Sequence, residues 1–250
     1  TLPPADHTNC YLVGDPEGEF VVVDPAVRMR EDMEALATAV ERHKGEPKAV
    51  VFTHSHSDHL ADMSLLREAL DVPVWGSDHT SKSVPCDRIL TDGEHIKLGN
   101  QTWTVLITPG HHPGHVCLYS QAGLVAGDML AGIGTILVPS ATGDMNQYLA
   151  QLRRLKALKP HLVFPSHGPV VAIPGRLIDH YITHRSARHA RVLEAVRNGA
   201  SQLTTITEEA YADTPNAHPG LSVDQTLSHL RGHENDGTVI EENGLWRLTK

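Results

Sequence analysis

The sequence predicts an α/β fold. Short runs rich in β-branched residues alternate with longer helical stretches, and segments carrying histidine and aspartate begin where those runs end. Phe20-Val21-Val22-Val23 is the first such run and stops at Asp24-Pro25. Residues 48–52 form a short apolar run that reads as a buried strand. It leads into Thr53-His54-Ser55-His56-Ser57-Asp58-His59, followed by residues 60–70, which read as a helix, so the polar stretch is expected in a strand-to-helix turn. Residues 101–108 are rich in β-branched and aromatic side chains and read as a strand. They run into Pro109-Gly110-His111-His112-Pro113-Gly114-His115. Residues 116–120 and 124–126 read as two further strands, the second ending at Gly127-Asp128. Residues 145–152 read as a helix, and residues 161–166 as a last strand ending at His167-Gly168.

Beyond His167 the pattern changes. Pro174-Gly175 opens a long helical stretch that reaches the stop signal Asn198-Gly199. Leu203 reads as strand-like, residues 204–211 as a short helix and residues 223–230 as another, with apolar positions at helical spacing. Residues 238–248 read as a hairpin turning at Asn243-Gly244.

His54, His56, Asp58 and His59 place four potential metal ligands within six positions. Imidazole with carboxylate suits zinc and related first-row metals. In extended backbone His54 and His56 point the same way, while Asp58 and His59 follow a bend and can face a second point, so one loop could serve two ions. His111, Asp128 and His167 each lie just beyond a strand, where loops commonly carry chemistry.

This set, with Pro-Gly-His111, Gly-Asp128 and Ser-His167-Gly, resembles the metallo-β-lactamase-fold hydrolases. The resemblance implies a four-layer αββα sandwich. It implies one metal on His54, His56 and His111, another on Asp58, His59 and His167, and a bridge through Asp128. It also implies that Asp24 supports a ligand histidine, that Asp58 orients the nucleophile, and that His115 acts near the substrate or holds a structural place. Residues 177–185 and the elements after them resemble the β-lactamase-like protein 2 family, which implies a small winged-helix-like C-terminal domain. The expected division is a catalytic domain over 1–175, and a linking helix with the winged-helix-like domain over 176–250. His112 is expected to be structural or solvent-facing. Other histidines, among them His189 and His229, are read as surface or core residues.

The implied activity is that of a dinuclear zinc hydrolase using a metal-bridging hydroxide, with iron or manganese as alternative metals. Some members of the narrower group cut single-stranded RNA, so the leading substrate class by resemblance is a phosphodiester. The alternative is a small carboxylic ester, thioester or lactam, including weak β-lactamase activity. An iron-dependent redox enzyme is a third reading. The full ligand set argues against a purely nucleic-acid-binding module. Charge speaks for caution about RNA: the net charge is −9, split −7 before Arg176 and −2 from Arg176 onward, without a basic run. The C-terminal region shows no match to the basic substrate-binding residues of glyoxalase-type thioesterases. Ala131 stands where quorum-signal lactonases carry tyrosine. DNA is not expected as a partner, and a homodimer is compatible with the sequence.

No apolar run has the length of a membrane span, so no membrane partner is expected. The start, Thr1-Leu2-Pro3-Pro4, shows no signal-peptide pattern. Cys10, Cys86 and Cys117 are widely spaced and odd in number, which implies neither a disulfide framework nor a cysteine zinc site and fits a cytoplasmic setting.

Overall fold

The computed structural model describes residues 4–249. Thr1, Leu2 and Pro3, on which the reading of the chain's start rests, lie outside the described residues. The chain folds as two units. The first comprises residues up to Thr108 with Gly114–Ile136 and Pro160–Pro174; the second comprises Pro109–Pro113, Leu137–Lys159 and residues from Gly175 on.

The first unit holds two five-stranded sheets. One contains β1 (Tyr11–Gly14), β2 (Glu19–Val23), β3 (Glu46–Val51), β4 (Val74–Gly76) and β5 (Arg88–Ile89) in that order; β1 pairs antiparallel with β2 and the rest are parallel. The other contains β6 (His95–Leu98), β7 (Gln101–Ile107), β8 (Val116–Ser120), β9 (Gly123–Gly127) and β10 (Val163–Pro165), ordered β10-β9-β8-β7-β6, with only β9 and β10 parallel.

The period-two rule explains the layers. On β2, Val21 and Val23 join Val51, Trp75, Ile96, Trp103 and Leu118 in a core shared by the two sheets. Phe20 and Val22 point to the opposite face and pack with Met33 and Leu36 of α1 (Arg30–Arg42) and Leu66 of α2 (Met63–Ala69). A strand buried on both faces reads as an unbroken apolar run, which is why Phe20–Val23 lacks alternation. The short helix α3 (Asp78–Ser81) follows β4.

In the second unit, α4 (Met145–Ala157), α5 (Pro174–Arg197), α6 (Leu203–Ala210) and α7 (Pro219–Asn235) precede a hairpin of β11 (Val239–Glu242) and β12 (Leu245–Leu248). Val192, Ile206, Leu230, Val239 and Trp246 form the core under the hairpin. Asn243 and Gly244 both have positive φ, 52° and 79°, as a two-residue primed turn requires.

Several boundaries differ from those read in the sequence. Helix α2 starts at Met63 rather than Leu60, because the Asp62 carboxylate caps the backbone N–H groups of Ser64 and Leu65. The ligand-rich segment therefore lies in a loop longer than a simple turn. Leu203 is the first residue of α6, not strand, since the chain enters that helix at Gln202. Helix α7 begins four residues before Val223, with Pro219 in its first turn where a missing N–H does no harm. Among the described residues no helix is long and apolar enough to cross a membrane.

Candidate metal centre

The loop after β3 gathers the first ligands. His54 is buried, and its Nε2 lies 3.0 Å from Nδ1 of His56, so the two rings converge on one point. His54 Nδ1 is held 3.0 Å from the Thr53 hydroxyl. Two residues past His56 the chain turns, with His59 N–H donating to the His56 carbonyl. His59 is buried, its Nδ1 is 2.9 Å from Asp24 Oδ2, and its Nε2 faces Asp128 Oδ2 at 3.6 Å and Asp58 Oδ1 at 3.9 Å.

From the other sheet, Asp128 follows β9 and His167 follows β10. His167 Nδ1 is 3.1 Å from the His7 carbonyl, and its Nε2 lies 3.3 Å from Asp128 Oδ1 and 3.7 Å from Asp58 Oδ2. Two groups of candidate ligand atoms result: His54 with His59 and Asp128, and Asp58 with His59 and His167. Asp128 stands close to both, as a bridging carboxylate must. His111 stands on the Pro109–Pro113 loop of the second unit, where its Nδ1 donates to the Leu137 carbonyl at 2.7 Å. His112, on the same loop, is buried.

This arrangement fits a metal. Ligands at about 2.0–2.2 Å around a tetrahedral ion stand roughly 3.3–3.6 Å from one another, close to the spacings here. His59 Nε2 is buried and has no hydrogen-bond partner among the described residues; it faces the Asp128 and Asp58 carboxylates from beyond hydrogen-bond distance, the spacing of ligands around a common ion. His54, His59, His167 and His111 each set Nδ1 against an oxygen, the usual support for an imidazole that ligates a metal through Nε2.

Electrostatics tell the same story without a metal. Burial would push the His59 pKa down, but the Asp128 and Asp24 carboxylates outweigh it and raise it to about 10. Burial likewise opposes the His167 shift, and its hydrogen bond with Asp128 raises it. Asp58 is partly buried, yet the charge of His59 holds its carboxyl below the usual range. Several carboxylates converge here, and they raise the proton affinity of His59 and His167.

Asp24 is the hub beneath this centre. It is buried and sits at φ 47°, a left-handed conformation that aspartate tolerates better than most residues. Its Oδ1 accepts from Thr53 N–H at 2.8 Å; its Oδ2 accepts from the Thr53 hydroxyl at 2.7 Å and the Ser166 hydroxyl at 3.3 Å, besides facing His59. His115 is fully enclosed. Its Nδ1 lies 2.8 Å from the Thr108 hydroxyl, and its Nε2 accepts from the Asp128 backbone N–H at 2.9 Å. That placement fixes the turn carrying Asp128 rather than presenting the ring to substrate. Gly127 has φ 51°, and a Cβ there would lie 2.4 Å from His115 Nε2, so only glycine fits.

Sequence reasoning did not pick out the residues that brace this centre. Thr53 and Ser166 flank ligands and could have been found by adjacency. Asn9 donates to the Pro165 and Gly168 carbonyls at 2.9 and 2.7 Å, and Tyr11 to Pro165 at 2.7 Å; with the His7 carbonyl they strap the His167 loop. No local signal marks them.

The family model of the metallo-β-lactamase superfamily matches residues 3–167. The chain belongs to this superfamily. As members of the metallo-β-lactamase superfamily are metal-dependent hydrolases that bind divalent metals, commonly two, so is this protein a metal-dependent hydrolase. A Caenorhabditis elegans protein named β-lactamase-like protein 2 homolog is 27% identical over 241 residues, covering 93% of this chain and 80% of that protein. A hydroxyacylglutathione hydrolase from Yersinia pestis is 32% identical over 161 residues, 63% of this chain and 60% of that protein. The crystal structure of a β-lactamase domain protein from Burkholderia ambifaria, 23% identical, superposes with a TM-score of 0.78 over 100% of this chain and 90% of that one, which establishes the metallo-β-lactamase fold.

Proposed function

We propose that the protein is a dinuclear zinc hydrolase that cleaves a small acyl substrate, an ester, thioester or lactam. The observation that carries the dinuclear reading is the convergence of His54, Asp58, His59 and His167 around Asp128, whose two carboxylate oxygens face His59 and His167. In this reading His54, His56 and His111 hold one ion; Asp58, His59 and His167 hold the other; Asp128 bridges. His111 enters by the family match and because three residues or fewer separate it along the chain from Thr108 and Gly114. Two divalent ions bound there would supply an acidified water and positive charge for a developing oxyanion. Asp58, whose side chain is 28% exposed, would orient that water and take its proton. Asp24 holds His59 in the tautomer that leaves Nε2 free.

An acyl substrate is supported by the net charge of −9 and by the 32% identity to a hydroxyacylglutathione hydrolase. A second reading, cleavage of single-stranded RNA, rests on the resemblance to the β-lactamase-like protein 2 group, whose namesake matches 93% of this chain; it takes the C-terminal helices and hairpin as a winged-helix-like appendage. The experiment offers zinc-loaded protein a panel of aliphatic thioesters, a cephalosporin and a short fluorescent single-stranded RNA, with Asp58→Ala and chelator-treated protein as controls. Thioester or lactam turnover that both controls abolish supports the proposal. Cleavage of RNA alone replaces it with the second reading.

A further inference from the structure

A cleft of about 720 Å³ in the first unit opens beside the metal-ligand loop. Ser57 and Asp58 belong to its lining. Apolar lining comes from Leu12 of β1, from Pro25 and Ala26, and from Ala35, Leu36 and Ala39 of α1. The size lies within the range of small-molecule sites, which pair apolar walls with a few placed polar groups.

Four charged side chains line the cleft, and three are engaged. The Asp32 carboxylate accepts from the backbone N–H groups of Arg28 and Met29 at 2.9 and 3.1 Å. Asp6 Oδ1 lies 2.6 Å from His7 Nδ1. Asp58 faces the metal-ligand histidines. Arg28 is the fourth. Only its backbone is bonded, and its guanidinium makes no ion pair among the described residues. Arg28 and Ser57 also line a second, contiguous depression of about 310 Å³ running along Leu60, Ala61 and Asp62. Arg28 thus lines both hollows, together with Ser57 of the loop that carries the ligands. Asp32 ties the backbone of Arg28 and Met29 to the start of α1.

We infer that this cleft is a subsite for an anionic group on an apolar stem, with Arg28 binding the carboxylate and the α1 face packing the stem. The inference rests on the acyl-hydrolase reading for its place in catalysis: the substrate would be an ester or thioester whose far end bears a carboxylate. A guanidinium suits this task because its planar fork meets a carboxylate with two parallel hydrogen bonds.

The test has two arms on the zinc-loaded full chain. In the first, ¹⁵N-labelled protein is titrated with hexanoate, and amide shifts are followed at Leu12, Arg28, Ala35 and Ala39. Saturable shifts at these positions, weakened tenfold or more in Arg28→Ala, are expected. Absent shifts, or shifts of equal affinity in the variant, overturn the subsite. In the second, S-acetyl-3-mercaptopropionate and its neutral counterpart S-acetyl-2-mercaptoethanol are compared. The preference for the anionic thioester, as a ratio of kcat/KM, is expected to fall about tenfold in Arg28→Ala through KM; an unchanged ratio overturns the link to catalysis. If the native protein hydrolyses neither thioester, the acyl reading has failed, and the hexanoate titration still decides the subsite.

Discussion

Replacing Asp24 by asparagine tests how the metal centre is held together. The change preserves shape and the tolerance for φ 47°. One amide atom must remain an oxygen to accept from Thr53 N–H, now 2.8 Å from Oδ1. The other then becomes an NH₂ group where Oδ2 stood, 2.9 Å from His59 Nδ1. A donor there cannot face Nδ1–H. Of the two protons that the raised pKa gives His59 in the metal-free protein, the one on Nδ1 is then lost and the one on Nε2, the nitrogen facing Asp128 and Asp58, is kept. Metal binding must then move that last proton to Nδ1, against the NH₂ group, whereas in the native protein Asp24 holds it there. Losses on removing such supports run about 10–100-fold in metal affinity, or about 1.4–2.7 kcal/mol. The assay is zinc titration against a chromophoric chelator, with ¹⁵N shifts of the His59 ring reporting the tautomer. The expected result is one site of native affinity and one weakened by that factor, with His59 in the Nε2–H form. Two sites of native affinity with an unchanged tautomer would refute the reasoning.

Three further outcomes follow from the same geometry. Because the His59 pKa is raised to about 10 in the metal-free protein, zinc uptake at neutral pH should expel a proton from it, and affinity should rise about tenfold per pH unit for that proton; calorimetry in buffers of different ionisation enthalpy checks this, and zero proton release refutes it. His115→Phe removes the acceptor of the buried Asp128 N–H and should lower stability by about 1–3 kcal/mol with two metals retained at saturating zinc, measured by urea unfolding and metal analysis. In the second unit, burial, then the neighbouring His233, lowers the His189 pKa from 6.5 to about 4, with Asp236 opposing. The folded chain therefore binds fewer protons than the unfolded one between those values, and stability falls as pH drops through that window. His189 alone should account for about 2 kcal/mol lost between pH 8 and pH 5. Urea midpoints of native protein and His189→Gln check this, and equal pH dependence in both would contradict it.

The His189 environment also shows where sequence reading ran out. Its spacing places His189 with the surface or core histidines, and nothing in the sequence marks a cluster. Yet its Nδ1 lies 3.1 Å from that of His229, and its ring stacks on His233 at 3.6 Å. His229 and His233 share one face of α7 by helical period, but their meeting with α5 is a packing event between distant segments.

The sequence by itself determined the chemistry and most of the elements. Residues 54–59 declare metal ligation because six consecutive positions cannot be so rich in imidazole and carboxylate without consequence, and Phe20–Val23 and Gln101–Ile107 declare strands through side-chain type. The Asn243-Gly244 turn was legible because only residues tolerant of positive φ close so tight a hairpin. Tertiary structure alone decided what those residues meet. The strap formed by His7, Asn9 and Tyr11 joins partners more than 150 positions away, and Arg28 and Ser57 come to line one cleft only in the folded chain. The physical reason is that hydrophobic period and turn chemistry are local, carried by neighbouring residues. Hydrogen bonds to backbone carbonyls are open to almost any polar side chain, so their partners appear only once the chain is folded.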